Sequence, residues 1–519
     1  MLQALVGFLS VVIGMNRTVF TKLVGLHLIT PGGLVRLLGS FVREGVSLMA
    51  LMRFSASYYP HRCALVSAGQ RFTYQELYEK ARQLARLLYA AHGLKAGMCV
   101  GLLCRNHVML ALLLPALSRL GVRVKLVNTD MAPLEMEALV RNSPIHLLIY
   151  DSELKALCVS GAWSCGMIES GALYRELMTS ESARPTRLPF VWRGGELSVF
   201  TGGSNGHRKE TPRGMHVCQF LPPFCALLEE LHIDTYDSVF LPLPLYHGFG
   251  LATLVVSFLM GKKVCLMNRF DAAEALTMIS DDEIEVLPVV PAMLARLWQV
   301  GGAAHSMKSV KCIICGGDRL DRKWIDTTTA HLGKVLYNLY GTSEAGFFMI
   351  ASPDDLLRYE EVTIGRPVRG VTCKVERQDP HGVGSLWVRS HWATISLKGR
   401  WQDTGDLVYA NSEGYYFYRG RTDNMVVCGG ENVYPEHVEK VINSHQEVLT
   451  SIVFPVADPQ FGQVLHATVE RKAGSALTPE ALKDWLRPRL SRSERPHQIT
   501  VKPITVLETG KLARHHQSH

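Results

Sequence analysis

From about residue 72 the hydrophobic positions settle into two alternating periods. Leu77, Ala81, Leu84 and Leu88 recur at helical spacing. Ahead of them, Thr73-Tyr74-Gln75-Glu76 is a capping box, with a hydroxyl for an exposed N–H and a carboxylate reaching back. The run CVGLLC then predicts a strand, followed by an apolar helix (VMLALLLPALSRL), a strand (RVKLVN), a helix (LEMEALVRN) and a strand (HLLIYD). After residue 236 the strands SVFLPLPL, KKVCLMN, IEVLPVV, VKCIIC and KVLYNLYG follow, again separated by helical segments. Strands alternating with helices at this spacing predict an α/β fold with a doubly wound, largely parallel sheet. Continuous apolar strands, buried on both faces, point the same way.

Beyond about residue 420 the pattern changes. Pro435 opens a helix (PEHVEKVINSH), VLTSIVFPV and LHATVERK read as strands, and Thr478 caps a helix that Pro479 begins. ITVKPITVL reads as a last strand, and GRTDNMVVCGGENV as the junction. The expected domains are an apolar leader over 1–55, a large domain over 56–420 and a small α+β domain over 421–519. A chain of 519 residues is too long for one ordinary core, which agrees with several domains.

The leader opens MLQALVGFLSVVIGMNR, uncharged until Arg17. That run is shorter than the ~20 residues that span a bilayer, and it lacks the basic start of a cleaved signal peptide. GGLVRLLGSFVREGVSLMALMRF predicts one amphipathic helix, either docked on the protein or lying on a membrane surface.

Hydrophobic residues make up 47% and charged residues 20% of the chain, a globular composition. The net charge of +8 is scattered, without a basic block or interleaved aromatics, which argues against nucleic-acid binding. It suits anionic substrates or an acidic membrane surface. Twelve cysteines at irregular spacing do not make a disulfide framework, and a reducing cytoplasm fits them. Cys312 and Cys315 form a C-x-x-C, but inside an apolar strand they fall on opposite faces.

Candidate chemistry concentrates first in SVFTGGSNGHRKETPRG, residues 198–214. Gly202-Gly203-Ser204-Asn205-Gly206 fits G-x-S-x-G, the nucleophile elbow of serine hydrolases, with Ser204 as the attacker. An elbow needs a helix directly after it, whereas Pro212 and Gly214 interrupt one here. The spacing to Lys209 fails the Walker pattern. A glycine loop of another design remains, with exposed N–H groups, a hydroxyl and cations for phosphate.

Four later stretches weigh on that choice: Tyr340-Gly341-Thr342-Ser343-Glu344, WQDTGDL with Asp406, GRTDN with Arg421 and Asp423, and ETGK with Lys511. In this order, and with CGGENVYPEHVE, they resemble the adenylate-forming superfamily of acyl-CoA synthetases, from about residue 50 to the C-terminus. The leader (TPGGLVRLL, then RFSASYYPHRCAL) looks like some bacterial fatty-acyl-CoA synthetases. The resemblance implies activation of a fatty or aryl carboxylic acid by ATP and Mg²⁺ through an acyl adenylate, then transfer to coenzyme A.

It also implies roles for individual residues. Ser204, Asn205 and Lys209, with Thr201, Gly203 and Gly206 around them, would grip the β- and γ-phosphates. Thr342 would meet the α-phosphate and Glu344 would hold Mg²⁺, a hard cation suited to carboxylate. Gly316-Gly317-Asp318, Tyr340 and Gly341 would line the adenine side, Asp406 would take the ribose hydroxyls, and Arg421 would assist. His247, in LPLYHGFG, would stand near the acyl and α-phosphate site. Lys511 would bridge carboxylate and phosphate. A mobile small domain would then turn about Asp423, carrying Gly429 and Gly430 toward the thiol. A carrier-protein phosphopantetheine as acceptor, or a non-catalytic acyl-binding relative, are the alternatives.

The phosphate loop departs from the family's pattern. Its threonines are Ser204 and Asn205, its proline is Arg208 and its last glycine is Glu210. A carboxylate near triphosphate would cost on the order of a kcal/mol.

Overall fold

The structure is a computed structural model that describes residues 17–129, 136, 145–158, 165–179, 187–201, 209–213, 217–380, 382–393, 398–422, 424, 426–428, 431–458, 462–490, 494–505 and 512. These fall into two compact units, one within residues 1–271 and 277–288, the other within 272–276, 289–393 and 397–519. Both are α/β, as the alternation of periods predicts.

In the first unit a six-stranded sheet runs in the order Gly166–Glu169, Leu147–Tyr150, Cys99–Leu103, Arg123–Leu126, Leu197–Thr201, Lys209–Arg213. Its first five strands are parallel and the last pairs antiparallel. Cys99–Leu103 is buried along its whole length, the mark of a strand covered on both faces. A second set of strands pairs Gln70–Thr73 with Cys63–Ser67, then Lys263–Leu266, Ser238–Leu241 and the strand beginning at Val286. The Thr73–Glu76 capping box forms with both hydrogen bonds and opens the helix Tyr74–Ala90, whose Leu77, Ala81, Leu84 and Leu88 are fully buried. Of the helix expected in LEMEALVRN, only Met136, which is buried, belongs to the described residues.

The leader differs from its expectation. Instead of one amphipathic helix there are two, Pro31–Glu44 and Leu48–Tyr58. The break is Gly45, at φ 69°, where a Cβ would stand 2.1 Å from the carbonyl oxygen of Val191. Only glycine combines that backbone with that approach. Ser47 then caps the second helix, which buries Met49, Met52 and Phe54.

In the second unit Cys312–Gly316 runs parallel to Leu336–Thr342. From there the sheet continues antiparallel through Gly346–Ala351, Thr363–Pro367, Tyr416–Arg421, Gln402–Ala410, Gly384–Ser390 and Val371–Glu376. Cys312 and Cys315 are buried, unbridged strand residues. Toward the C-terminus, Val448–Asp458, Gly462–Arg471 and Gln498–Val501 form a three-stranded sheet. The helices Pro435–Asn443 and Pro479–Leu486 contribute Val438, Ile442, Leu482 and Leu486 to its core. Among the described residues no helix is long and apolar enough to cross a membrane.

Candidate active site

The second unit places six of the predicted site residues, Gly316, Tyr340, Gly341, Thr342, Asp406 and Arg421, on strands of one sheet. Asp406 and Arg421 are register partners, with Arg421 Nη1 3.1 Å from Asp406 Oδ1. The Tyr340 hydroxyl donates to the other oxygen of Asp406, and the ring stands edge-on to Phe348. Burial, and then the charge of Asp406, hold the Tyr340 phenol well above the usual tyrosine range, so it serves as a donor. Asp406 is buried, whereas the Arg421 side chain keeps 37% of its surface exposed. Between them Gly405 sits at φ 74°, and a Cβ there would come within 2.7 Å of Arg421 Nη2. Glycine leaves the space that the guanidinium uses.

Thr342 ends the strand and turns the chain. Its hydroxyl accepts from the N–H of Ala345 at 3.1 Å, Thr342 pairs with Gly346, and a bulge follows Tyr340 at Gly341. Glu344 lies in that turn, half-buried. Bulges re-aim side chains at the ends of strands, which suits a binding edge. Gly316 closes the parallel strand Cys312–Gly316, and Asp318 accepts from the following N–H of Arg319 at 2.7 Å.

In the first unit His247 precedes the helix Gly248–Leu259, with its ring 4.8 Å from that of Tyr246. Asn106 fixes the loop leading to it: its amide donates to Leu243 at 2.8 Å and accepts from the N–H of Leu245 at 2.9 Å. The Tyr246 hydroxyl accepts from Thr129. The glycine stretch links two antiparallel strands, with Thr201 opposite Lys209. Strand Lys209–Arg213, with Pro212 inside it, stands where a nucleophile elbow requires a helix, so the hydrolase reading of Ser204 loses its structural context. Gly203, Ser204, Asn205, Gly206, Asp423, Gly429, Gly430 and Lys511 lie outside the described residues.

Three features escaped the sequence reading. The Tyr340–Asp406 bond joins residues 66 apart, Gly405 makes room for an arginine 16 residues on, and Asn106 belongs to no motif. Cys104, His107 and Asp151 also come together in the first unit. There His107 Nδ1 accepts from the N–H of Leu110, which leaves Nε2 to donate to Asp151 at 2.8 Å. Ser170 and the N–H of Arg105 donate to the same carboxylate. Burial, then Asp151, push the Cys104 thiol well up. A neutral thiol and an Nε2 proton make this a helix-capping network rather than a ligand set.

The family model described as AMP-binding enzyme matches residues 52–396, and that of the AMP-binding enzyme C-terminal domain matches residues 437–510. A 2-succinylbenzoate–CoA ligase of Geobacillus kaustophilus is 27% identical over 459 residues, covering 85% of this chain and 91% of that protein. Among solved structures, the o-succinylbenzoate CoA synthetase of Bacillus subtilis with its acyl-adenylate intermediate aligns at TM-score 0.76 and 24% identity, covering 89% of this chain and 96% of that one. An anthranilate CoA ligase bound to anthranoyl-AMP aligns at TM-score 0.79 and 20% identity, covering 90% and 96%.

Proposed function

This chain belongs to the AMP-binding enzymes, as an acid–thiol ligase, and we propose that it activates an aryl carboxylic acid with ATP and Mg²⁺ and passes the acyl group to coenzyme A. The observation that carries the reading is the Asp406–Arg421–Tyr340 arrangement, set beside relatives whose names are those of aryl-acid CoA ligases. Those names favour an aryl acid over the fatty acid that the leader's resemblance implies.

In the first step a carboxylate oxygen of the acid bonds to the α-phosphorus, and the bond to pyrophosphate breaks. In the second, the thiol of coenzyme A attacks the acyl carbon, its proton is lost and AMP leaves. Charge builds on phosphate oxygens in the first step, so fixed donors and cations matter more than a nucleophilic side chain. Asp406 Oδ1 accepts from Arg421 and Oδ2 from the Tyr340 hydroxyl; a carboxylate oxygen accepts more than one hydrogen bond, and Asp406 would also take a ribose hydroxyl. Thr342 would meet the α-phosphate and Glu344 would hold Mg²⁺, which supplies counter-charge to the phosphates. Ser204, Asn205 and Lys209 would grip the outer phosphates, and His247 would stand near the acyl group.

Lys511 would bridge carboxylate and phosphate in the first step, and a turn about Asp423 would then bring the Gly429 region to the thiol. Such a turn has specific contacts to break. Arg296 forks onto Glu470 at 2.8 and 2.9 Å, and Lys323 donates to the carbonyls of Asn443, Val448 and Leu449.

The test is ATP–pyrophosphate exchange across 2-succinylbenzoate, benzoate, anthranilate and a fatty-acid series. Exchange is expected with an aryl acid; exchange with fatty acids alone would overturn the aryl assignment. Silence across the panel with folded protein would overturn the ligase. Lys511→Ala should lower exchange ~10²–10³-fold while sparing thioester formation from supplied acyl adenylate.

A further inference from the structure

The helix Pro31–Glu44 is turned inside out for a soluble protein. Its inward face carries Ser40 and Glu44, both buried. Glu44 accepts from the Tyr78 hydroxyl at 2.7 Å and from Arg119 Nε at 2.9 Å, and Ser40 accepts from Arg53 at 3.2 Å. Its outward face carries Val35, Leu38 and Val42, which fall on one stripe at the i, i+3, i+7 spacing of a single helix face. Val35 is 70% and Val42 62% exposed. A helix facing water on one side puts its polar residues there; this one turns Ser40 and Glu44 inward and leaves Val35, Leu38 and Val42 exposed.

The apolar surface does not end with the helix. Past Gly45, the N–H of Val46 donates to the carbonyl of Trp192, and the N–H of Gly194 donates back to Val46, both at 2.8 Å. This pins the segment around 190–194 against the end of the helix. Phe190 and Trp192, two residues apart, are exposed there with rings 6.0 Å apart. Among the described residues eight large hydrophobic side chains are exposed, and five of them are these: Val35, Leu38, Val42, Phe190 and Trp192.

The charges around this surface have one dominant sign. Arg36 and Arg43 flank the helix stripe and Arg193 follows Trp192, all exposed. Through residue 62 the chain has six lysines and arginines and one acid, Glu44, which points inward. An apolar stripe flanked by arginines, with tryptophan and phenylalanine beside it, has the chemistry of an interfacial helix on an anionic bilayer.

We propose that the outward face of Pro31–Glu44, with Phe190 and Trp192, seats the protein on an anionic lipid surface. The aromatic and aliphatic side chains enter the boundary between headgroups and acyl chains, and the arginines meet lipid phosphates. The proposal stands apart from the ligase reading, because none of these residues has been assigned to ATP or the acid.

The experiment is co-sedimentation of the full chain with vesicles of phosphatidylcholine alone or with about a third phosphatidylglycerol, alongside solution exchange activity and light scattering. Binding to the anionic vesicles is expected, falling steeply with added salt. Val35→Asp with Val42→Asp should weaken it about tenfold or more, with exchange activity in solution unchanged. Arg43→Gln and Arg193→Gln should each weaken it about fivefold and leave the apolar contact in place. Binding by the double aspartate variant equal to that of the parent would overturn the proposal, since another part of the chain would then be the anchor. So would a parent that ignores vesicles. A dimer in solution that the aspartates dissociate, without vesicle binding, would assign the face to a second copy of this chain instead.

Discussion

Two buried carboxylates in this protein each accept from a tyrosine hydroxyl and an arginine, in different surroundings. Glu44 receives a tyrosine hydroxyl, from Tyr78, and an arginine, Arg119. Asp406 likewise receives Tyr340 and Arg421. The difference lies on the arginine side. Arg119 is 6% exposed, so its pair with Glu44 is closed to water and seats a helix, with Arg82 a more distant partner at 4.0 Å. Arg421 is 37% exposed, with Gly405 beneath it, so the Asp406 trio is open on one side. One set of groups makes a lock in the first case; in the second it leaves an open edge, where we propose that the nucleotide binds. Accessibility separates them, since the chemistry of the groups is the same.

The comparison breaks most readily at Glu44. Glu44→Ala leaves Arg119 buried without its counter-charge and should destabilise the fold by ~3–5 kcal/mol, read by denaturant unfolding, with KM for ATP unchanged in the protein that remains folded. Asp406→Ala should do the reverse. Losing two acceptor oxygens should raise KM for ATP roughly 10²-fold, while stability falls less than in Glu44→Ala because Arg421 reaches water. Equal loss of stability in the two variants, with ATP affinity intact, would erase the distinction.

Removing single hydroxyls sharpens it. Tyr78→Phe should destabilise the fold by ~1–3 kcal/mol, and Tyr340→Phe should raise KM for ATP by about tenfold at most. If Tyr340→Phe costs only stability, the Asp406 trio is a second lock.

A last effect concerns pH, and it should appear in both units. Burial pushes Lys262 in the first unit and Lys323 in the second down to about 8. Each folded pKa lies below its unfolded value, so below pH 8 both carry a buried-charge penalty, and the unfolded chain binds more protons above it. Stability should therefore rise as pH goes from about 8 toward the unfolded lysine value, by less than about 1.4 kcal/mol per pH unit for each lysine. Thermal unfolding across that range should show the rise, and Lys323→Met should remove about half of it.

The α/β class was legible because its strands are apolar throughout and its helices keep the 3.6 period, as in Cys99–Leu103 and Tyr74–Ala90. The capping box at Thr73 was legible because its hydrogen bonds span only three residues. Asp406 and Arg421 were legible through their motifs, although nothing in the motifs says that they are register partners. The leader misled, since its apolar run reads as one helix and Gly45 divides it. The reason for that glycine is a carbonyl at residue 191, remote in sequence.

Sequence by itself determined the local patterns and the order of the motifs, because hydrophobic period, caps and turn residues act over a few positions. It also determined membership in the AMP-binding enzymes, through stretches whose order survives at 27% identity. Only the tertiary structure decided which carboxylate is sealed and which is open, that Tyr340 bonds Asp406, and that the Pro31–Glu44 helix leaves Val35, Leu38 and Val42 exposed. Each of these depends on the distance between residues remote in the chain. Burial, which folding alone sets, decides whether a charged group is a lock or a site.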